Sequence, residues 1–218
     1  MSSFTWSYSS LKEFLNCPKQ YQEIRVLKRY QKSDSTQTMY GKEVHNALED
    51  YVRDGVPLAK NYEMFKDVVD SLIAIKGTKY CEHEMALGKD RKPCDFNDEN
   101  RWVRGIADLL IVDGDMAYVV DYKTGSDKYA DPKQLRLMAL MVFEHFPDVQ
   151  TVKGGLLFIL KNSFVSEEYT RDKLEESWMH FVPALERLRV SYDTDAWAPN
   201  PTPLCRYCPV MECDFHKG

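Results

Sequence analysis

Before residue 78 the apolar positions recur every three or four residues; beyond it they fall at alternate positions or in continuous runs. "SSLKEFLNCPKQYQ" opens with Ser10 and Glu13 at capping-box spacing and carries Leu11, Phe14 and Leu15 at helical intervals, which predicts a first helix. "GKEVHNALEDYVRDG" sets Val44, Leu48 and Val52 on one side with Gly55 just past the end, a second helix. "NYEMFKDVVDSLIAIKG", closed by Gly77, is a third. The period then changes. "KYCEHEMAL", "RWVRGIADLLIVDG" and "DMAYVVDYKTG" read as three consecutive strands, the last two joined through "DGD" as a tight antiparallel hairpin. "PKQLRLMALMVFEHFP" is a helix between Pro132 and Pro147, "TVKGGLLFIL" a buried strand, and residues from about 170 to 191 a last long helix. The tail "AWAPNPTPLCRYCPVMECDFHKG" should be irregular. This order gives an α/β fold whose central sheet mixes an antiparallel hairpin with a crossover connection.

A chain of 218 residues suffices for one substantial domain, and 44% hydrophobic with 29% charged residues is ordinary for a soluble globular protein. No run approaches the roughly 20 apolar residues of a membrane span. "MSSFTWSYSS" has neither the basic nor the apolar region of a signal peptide, so the expected location is the cytoplasm, away from membranes. The net charge of −5 argues against a general polyanion binder. Locally, however, Lys19, Arg25, Lys28, Arg29 and Lys32 face the single Glu23 in "CPKQYQEIRVLKRYQKS", either as a solvated helix face or as a track for a phosphate backbone.

Asp108, Asp121 and Lys123 interrupt the apolar run "GIADLLIVDGDMAYVVDYKTG". Residues i and i+2 of a strand share a face, so Asp121 and Lys123 project together, and the hairpin can bring Asp108 alongside. Converging carboxylates repel, and a hard divalent cation, Mg2+ or Mn2+, removes that cost. Two oxygen ligands, a metal and a cationic neighbour suit phosphodiester hydrolysis. An isolated D-x-K is more often the polar end of a turn; the apolar, β-rich setting and the spacing to Asp108 argue otherwise.

"GIAD" followed by "VVDYKTG" resembles motifs II and III of the PD-(D/E)XK nuclease superfamily in its RecB-like branch, the type of the CRISPR-associated and phage recombination exonucleases. "YGKEVHNALEDYV" is similar to that branch's helical motif I, "SYSSLKEFLNCPKQYQ" to the N-terminal helix of its iron–sulfur members, and "PLCRYCPVMEC" to their cysteine-rich end. The resemblance implies a restriction-endonuclease-like αβββαβ core with N-terminal helices and a C-terminal cluster-binding tail. It implies Asp108, Asp121, His45 and the Tyr122 carbonyl as metal ligands, with His45 favouring Mn2+, Lys123 as the catalytic lysine, and Gln134 as a residue that contacts DNA or positions the lysine. His45 also sits at helical spacing from Leu48 and Val52, as a core histidine would. Where the family often has a tyrosine four residues after the glutamine, this chain has Met138, so that contact is missing or comes from Tyr129. Asp121 stands where many relatives have glutamate. Glu82 or Glu84 is a candidate outer carboxylate.

Three of the six cysteines, Cys205, Cys208 and Cys213, form C-x2-C-x4-C, and a tetrahedral site needs a fourth ligand. His216 would complete a local Zn2+ site; Cys17 would complete a four-cysteine site joining both ends of the chain, which the resemblance supports as a 4Fe-4S cluster. Closing a loop of that length removes roughly 4–5 kcal/mol of denatured-state entropy if the ends are otherwise floppy. Cys81 and Cys94 read as plain thiols. The expected organisation is a single nuclease domain over 1–218, with 1–35 and 192–218 forming a cysteine subdomain and 36–191 the catalytic core. Cys17 would hold the basic run close to the catalytic cleft as a single-strand channel. The expected activity is a metal-dependent DNA exonuclease acting on single-stranded or end-containing DNA in recombination, repair or phage replication, with recombination or replication proteins as partners. The rivals are a structure-specific endonuclease on the same fold, a non-catalytic nucleic-acid-binding subunit and a cluster-dependent redox sensor.

Overall fold

The computed structural model describes residues 4–32, 35–127 and 131–216. The chain divides into two compact units, one made of residues 35–178 and the other of 1–34 with 179–218.

The 35–178 unit is built on a six-stranded sheet: β1 (Thr78–Leu87), β2 (Pro93–Cys94), β3 (Val103–Asp113), β4 (Met116–Lys123), β5 (Thr151–Phe158) and β6 (Ser163–Thr170), in the order β2-β1-β3-β4-β5-β6. All neighbours are antiparallel except β4 and β5. The β3–β4 hairpin closes at Asp113 and Met116, and Gly114 takes φ +61°, a left-handed conformation that glycine adopts without Cβ strain. Helix α5 (Lys133–His145) makes the crossover from β4 to the parallel β5. Helices α3 (Thr36–Asp54) and α4 (Lys66–Ile73) contribute Val44, Leu48 and Val69 to a core with Leu109, Ile111, Val120, Tyr122, Leu157 and Ile159. Strand side chains alternate, so α3 and α4 cover the face of Val120 and Tyr122 and leave Asp121 and Lys123 to the other. That second face meets α5, whose Leu135 lies over Gly154.

The other unit contains α1 (Tyr8–Asn16), α2 (Pro18–Tyr21) running into a π-helical turn (Gln22–Val26), α7 (Val182–Thr194) and a tail with one 3-10 turn (Pro203–Tyr207). Its interior is aromatic. Tyr21 stacks on Trp197, Phe14 meets both edge-on, and Tyr192 packs against Trp197 and Phe4. The two terminal segments therefore share a core of their own.

Three local expectations are corrected. The capping box of α1 is formed by Ser7 and Ser10, not Ser10 and Glu13; Glu13 instead binds Arg25 and Lys32. Residues 163–170, unassigned by pattern, form β6, and two residues at 93–94 form β2. The long helix expected over 170–191 is a 3-10 turn (Arg171–Lys173), α6 (Leu174–Met179) and α7, because Pro183 has no N–H to continue a helix and sits in the first turn of a new one.

Candidate active site

Leu109 pairs with Val120, so Asp108 and Asp121 are the next residues along their two strands. On the other side of β3, Cys81 pairs with Leu109 and His83 with Ala107, which puts Glu82 opposite Asp108. Three carboxylates thus lie at one level across β1, β3 and β4. Glu82 takes φ +47°, a sparsely populated conformation for a residue with a Cβ inside a strand. Glu84, the other candidate on β1, is exposed.

Asp121 is 6% exposed. Lys123 Nζ approaches its Oδ2 to 2.5 Å, yet that oxygen accepts no aligned hydrogen bond. Gln134, from the first turn of α5, donates through Nε2 to Asp121 Oδ1 and accepts from Lys123 through Oε1 at 3.1 Å. One glutamine therefore fixes both charged groups.

His45 reaches the same strand end from α3. Its Nε2 lies 2.9 Å from the Tyr122 carbonyl oxygen. A carbonyl only accepts, so Nε2 carries the proton in the neutral ring. Burial holds His45 below the usual imidazole range, with the Tyr122 carbonyl and Asp121 opposing that shift. The neutral ring then presents the Nδ1 lone pair to Asp108 Oδ2 at 3.5 Å. Two acceptors facing each other repel unless a proton or a cation lies between them. Asp108 Oδ2 also accepts the Tyr122 backbone N–H at 2.6 Å. Even so, burial first, then the charges of Asp121 and Glu82, push the Asp108 carboxyl well above the usual carboxylate range. Burial and the neighbouring Glu49 and Asp121 raise Glu82 as well.

These are the marks of a site short of positive charge. Single ligand atoms of His45, Glu82 and Asp108 all lie within 4.8 Å of one another, so the group could bind a metal ion. Asp108, the Tyr122 carbonyl and His45 are groups the sequence already singles out; Asp121, the fourth, is turned towards Lys123 and Gln134. The sequence leaves Glu82 open against Glu84, and no pattern in it announces the Glu82 backbone angle. Met138 is buried against Gly105, where a Cβ would stand 2.4 Å from its Cε, so it offers no contact to a substrate. Tyr129 lies outside the described residues.

The basic run belongs to the other unit, and four of its five cations are paired there. Lys19 and Arg29 meet Glu23 at 2.7 and 3.6 Å, and Arg25 and Lys32 meet Glu13 at 2.7 and 2.8 Å. Lys28 makes no ion pair among the described residues. The same unit gathers Cys17, Cys205, Cys208 and Cys213 around one pocket, together with Gln20, Asn200 and His216. All six cysteines are free of disulfides.

A model of the PD-(D/E)XK nuclease superfamily matches residues 5–80 and 74–213. The chain belongs to that superfamily. Its mixed six-stranded sheet with flanking helices is the restriction-endonuclease-like nuclease core. No curated protein matches the chain significantly. Among solved structures, a protein from Eubacterium rectale described as a proposed exonuclease aligns with TM-score 0.53 at 13% identity, over 97% of this chain and 86% of its own. At that identity the likeness concerns the fold. A second solved protein, SSO0001, aligns over 100% of this chain and 89% of its own with TM-score 0.43 and 14% identity, too loosely to carry an argument. Among the described residues no helix is long and apolar enough to cross a membrane.

Proposed function

We propose that the protein is a metal-dependent DNA exonuclease of the RecB-like iron–sulfur branch, acting on single-stranded DNA or DNA with free ends in recombination, repair or phage replication. The observation that carries the nuclease reading is the joint placement of Asp108, Asp121, Lys123, Gln134 and His45 at the C-terminal end of β4. The repelling acceptor pair of His45 and Asp108, with Glu82 close by, fits a divalent cation. His45, Asp108, Asp121 and the Tyr122 carbonyl, with Glu82 beside them, are the residues that would hold it. A bound Mg2+ or Mn2+ supplies Lewis-acid charge to the scissile phosphate and to the attacking water. A nitrogen ligand tilts the preference towards Mn2+.

The protein's own groups do the positioning. Gln134 clamps Lys123 against Asp121, which costs no reorganisation when charge develops. The Lys123 ammonium then orients a water and neutralises negative charge growing on the phosphate oxygens. Asp108 is held by the Tyr122 N–H, and the Tyr122 carbonyl holds the His45 ring with Nδ1 facing Asp108.

The exonuclease reading draws on the motif order; the Eubacterium rectale protein, described as a proposed exonuclease, shares the fold. End-labelled linear and covalently closed circular single-stranded DNA of one sequence, with Mg2+, Mn2+ or EDTA, test it. Degradation of the linear form alone is expected. Cutting of the circle at a similar rate makes the protein an endonuclease, and binding without cleavage makes it a non-catalytic subunit.

The second metal reading is a 4Fe-4S cluster on Cys17, Cys205, Cys208 and Cys213. All four line one pocket, and three of their sulfurs accept N–H hydrogen bonds, as thiolates do more readily than thiols. Zinc–thiolate bonds of about 2.3 Å place sulfurs about 3.8 Å apart. Among the described residues only the His45, Glu82 and Asp108 group brings three ligand atoms within 4.8 Å of one another, so no three of the sulfurs stand that close together without a metal. His216 donates Nδ1–H to the Cys205 carbonyl at 3.1 Å, which fixes the ring beside the cysteines with Nε2 as its free lone pair, as the zinc alternative would need. Brown protein with about four irons per chain is expected; colourless protein with one zinc, indifferent to Cys17→Ser, would make the site a local zinc knot.

A further inference from the structure

The four cysteines are not equally served by hydrogen-bond donors. Cys17 Sγ accepts from the backbone N–H groups of Gln20 and Asn200, both at 3.5 Å, and Cys205 Sγ from the backbone of Thr202 at 3.3 Å. Cys208 Sγ accepts from the Gln20 side-chain Nε2 at 3.2 Å, the shortest of the four contacts. Among the described residues Gln20 alone is thus seen to donate to a sulfur from each end of the chain, its main chain to Cys17 and its side chain to Cys208, 188 residues away. It is also the one side-chain donor in the set; the other three are backbone groups fixed by the α2 turn and by the tail.

N–H groups aimed at thiolate sulfur stabilise negative charge on it. In an iron–sulfur site such bonds favour the reduced form and raise the reduction potential; at any thiolate-bound metal they slow loss of the ligand to a proton. From this geometry we infer that Gln20 is the positioning residue of the cysteine site, locking Cys208 to the Cys17 turn and setting both the potential and the hold of the bound metal. The inference rests on the reading of these cysteines as a metal site. It needs no group beyond the chain itself, and it places the adjustable element on the helix that follows Cys17-Pro18, not in the cysteine-rich tail.

The test uses the full chain, purified without oxygen and reconstituted with ferrous iron and sulfide or with zinc alone, as wild type, Gln20→Leu, Gln20→Glu and Cys17→Ser. Metal content, the rate of release to a chelator and, for iron, the midpoint potential in a dithionite titration are measured. Both Gln20 variants should load fully. Release should be several-fold faster in Gln20→Leu and fastest in Gln20→Glu, whose carboxylate turns an acceptor towards the sulfur, and the potential should fall in the same order. A tenfold change in the one-electron equilibrium reads as about 59 mV. Glutamate matches glutamine in size, so a packing role would leave Gln20→Glu closer to wild type than Gln20→Leu; that order, or unchanged release and potential, overturns the inference. Wild type holding no more metal than Cys17→Ser overturns the four-cysteine reading, and the inference with it. A single zinc in wild type overturns the cluster alone, while the order of release still decides Gln20.

Discussion

Asp108 and Asp121 face each other because two strands are hydrogen-bonded in register, whereas Cys17 and Cys208 share a pocket although 191 positions separate them in order along the chain. The first arrangement is local: a two-residue turn and strand alternation dictate it, and α5 needs only to deliver Gln134. The second depends on a separate aromatic core, with Phe14 and Tyr21 from the first segment packed on Tyr192 and Trp197 from the last. A site drawn from one hairpin holds its groups while they repel one another. A site drawn from two distant segments depends on the packing that brings them together.

The largest effect expected is at the sheet. Lys123→Ala or Asp121→Ala should lower kcat/KM on end-labelled DNA by about 10^3-fold or more, the scale of lost transition-state charge stabilisation, while metal on the cysteines is untouched. Substantial activity in Asp121→Ala would remove the assignment. Cys17→Ser should do the converse: it empties the cysteine site and leaves the sheet folded. The floppy-end figure of roughly 4–5 kcal/mol overstates its cost, because the aromatic core already joins the termini; about 1–3 kcal/mol is expected in urea unfolding, within the usual range for losing a cross-link. A loss of the whole fold would mean the aromatic core cannot stand without the metal.

Gln134→Leu sharpens the distinction between contact and positioning. Lys123 and Asp121 remain but lose their clamp, so kcat should drop by about tenfold, equivalent to about 1.4 kcal/mol, with KM little changed. A rise in KM alone would make Gln134 a DNA contact. The smallest effect is on the metal-free protein. The folded state raises the Asp108 carboxyl, so it binds that proton more tightly than the unfolded chain does. Stability from this group is therefore lost as pH rises from the unfolded carboxylate value, about 3.9, through the raised folded one. In EDTA, Asp108→Asn should flatten that dependence and melt higher than wild type at neutral pH; Mn2+ should raise the melting temperature of wild type alone.

How much of this is legible in the sequence follows from the same contrast. The hairpin, the D-x-K pair and the crossover helix announce themselves through periodicity and turn residues. The strand β6 does not: in "SFVSEEYT" only Tyr169 is buried, since the strand lies at the sheet edge, and two adjacent glutamates mask its alternation. The break between α6 and α7 is written in Pro183, a signal that the apolar spacing around it overrides. Glu82 stands out in the sequence only as one of two, because its left-handed backbone arises from tertiary constraint and not from residue type. The basic run is visible as charge, but its pairing with Glu13 depends on how α1 lies against the π-helical turn. The cysteine count points to a metal; the donor that bridges the two segments is a glutamine inside "NCPKQYQ", a stretch that does not single it out as a donor.

The span between Gln20 and Cys208 also has a consequence in time. At about 5–20 residues per second of synthesis, roughly 10–40 s separate the emergence of the first cysteine turn from that of the last. Residues 35–178 leave the ribosome within that interval and can close their sheet first. Cys17 must wait through it as a bare thiol beside Pro18. On the four-cysteine reading, loading of that site would be a late event in the life of each chain, and a nascent product would carry the nuclease sheet without it.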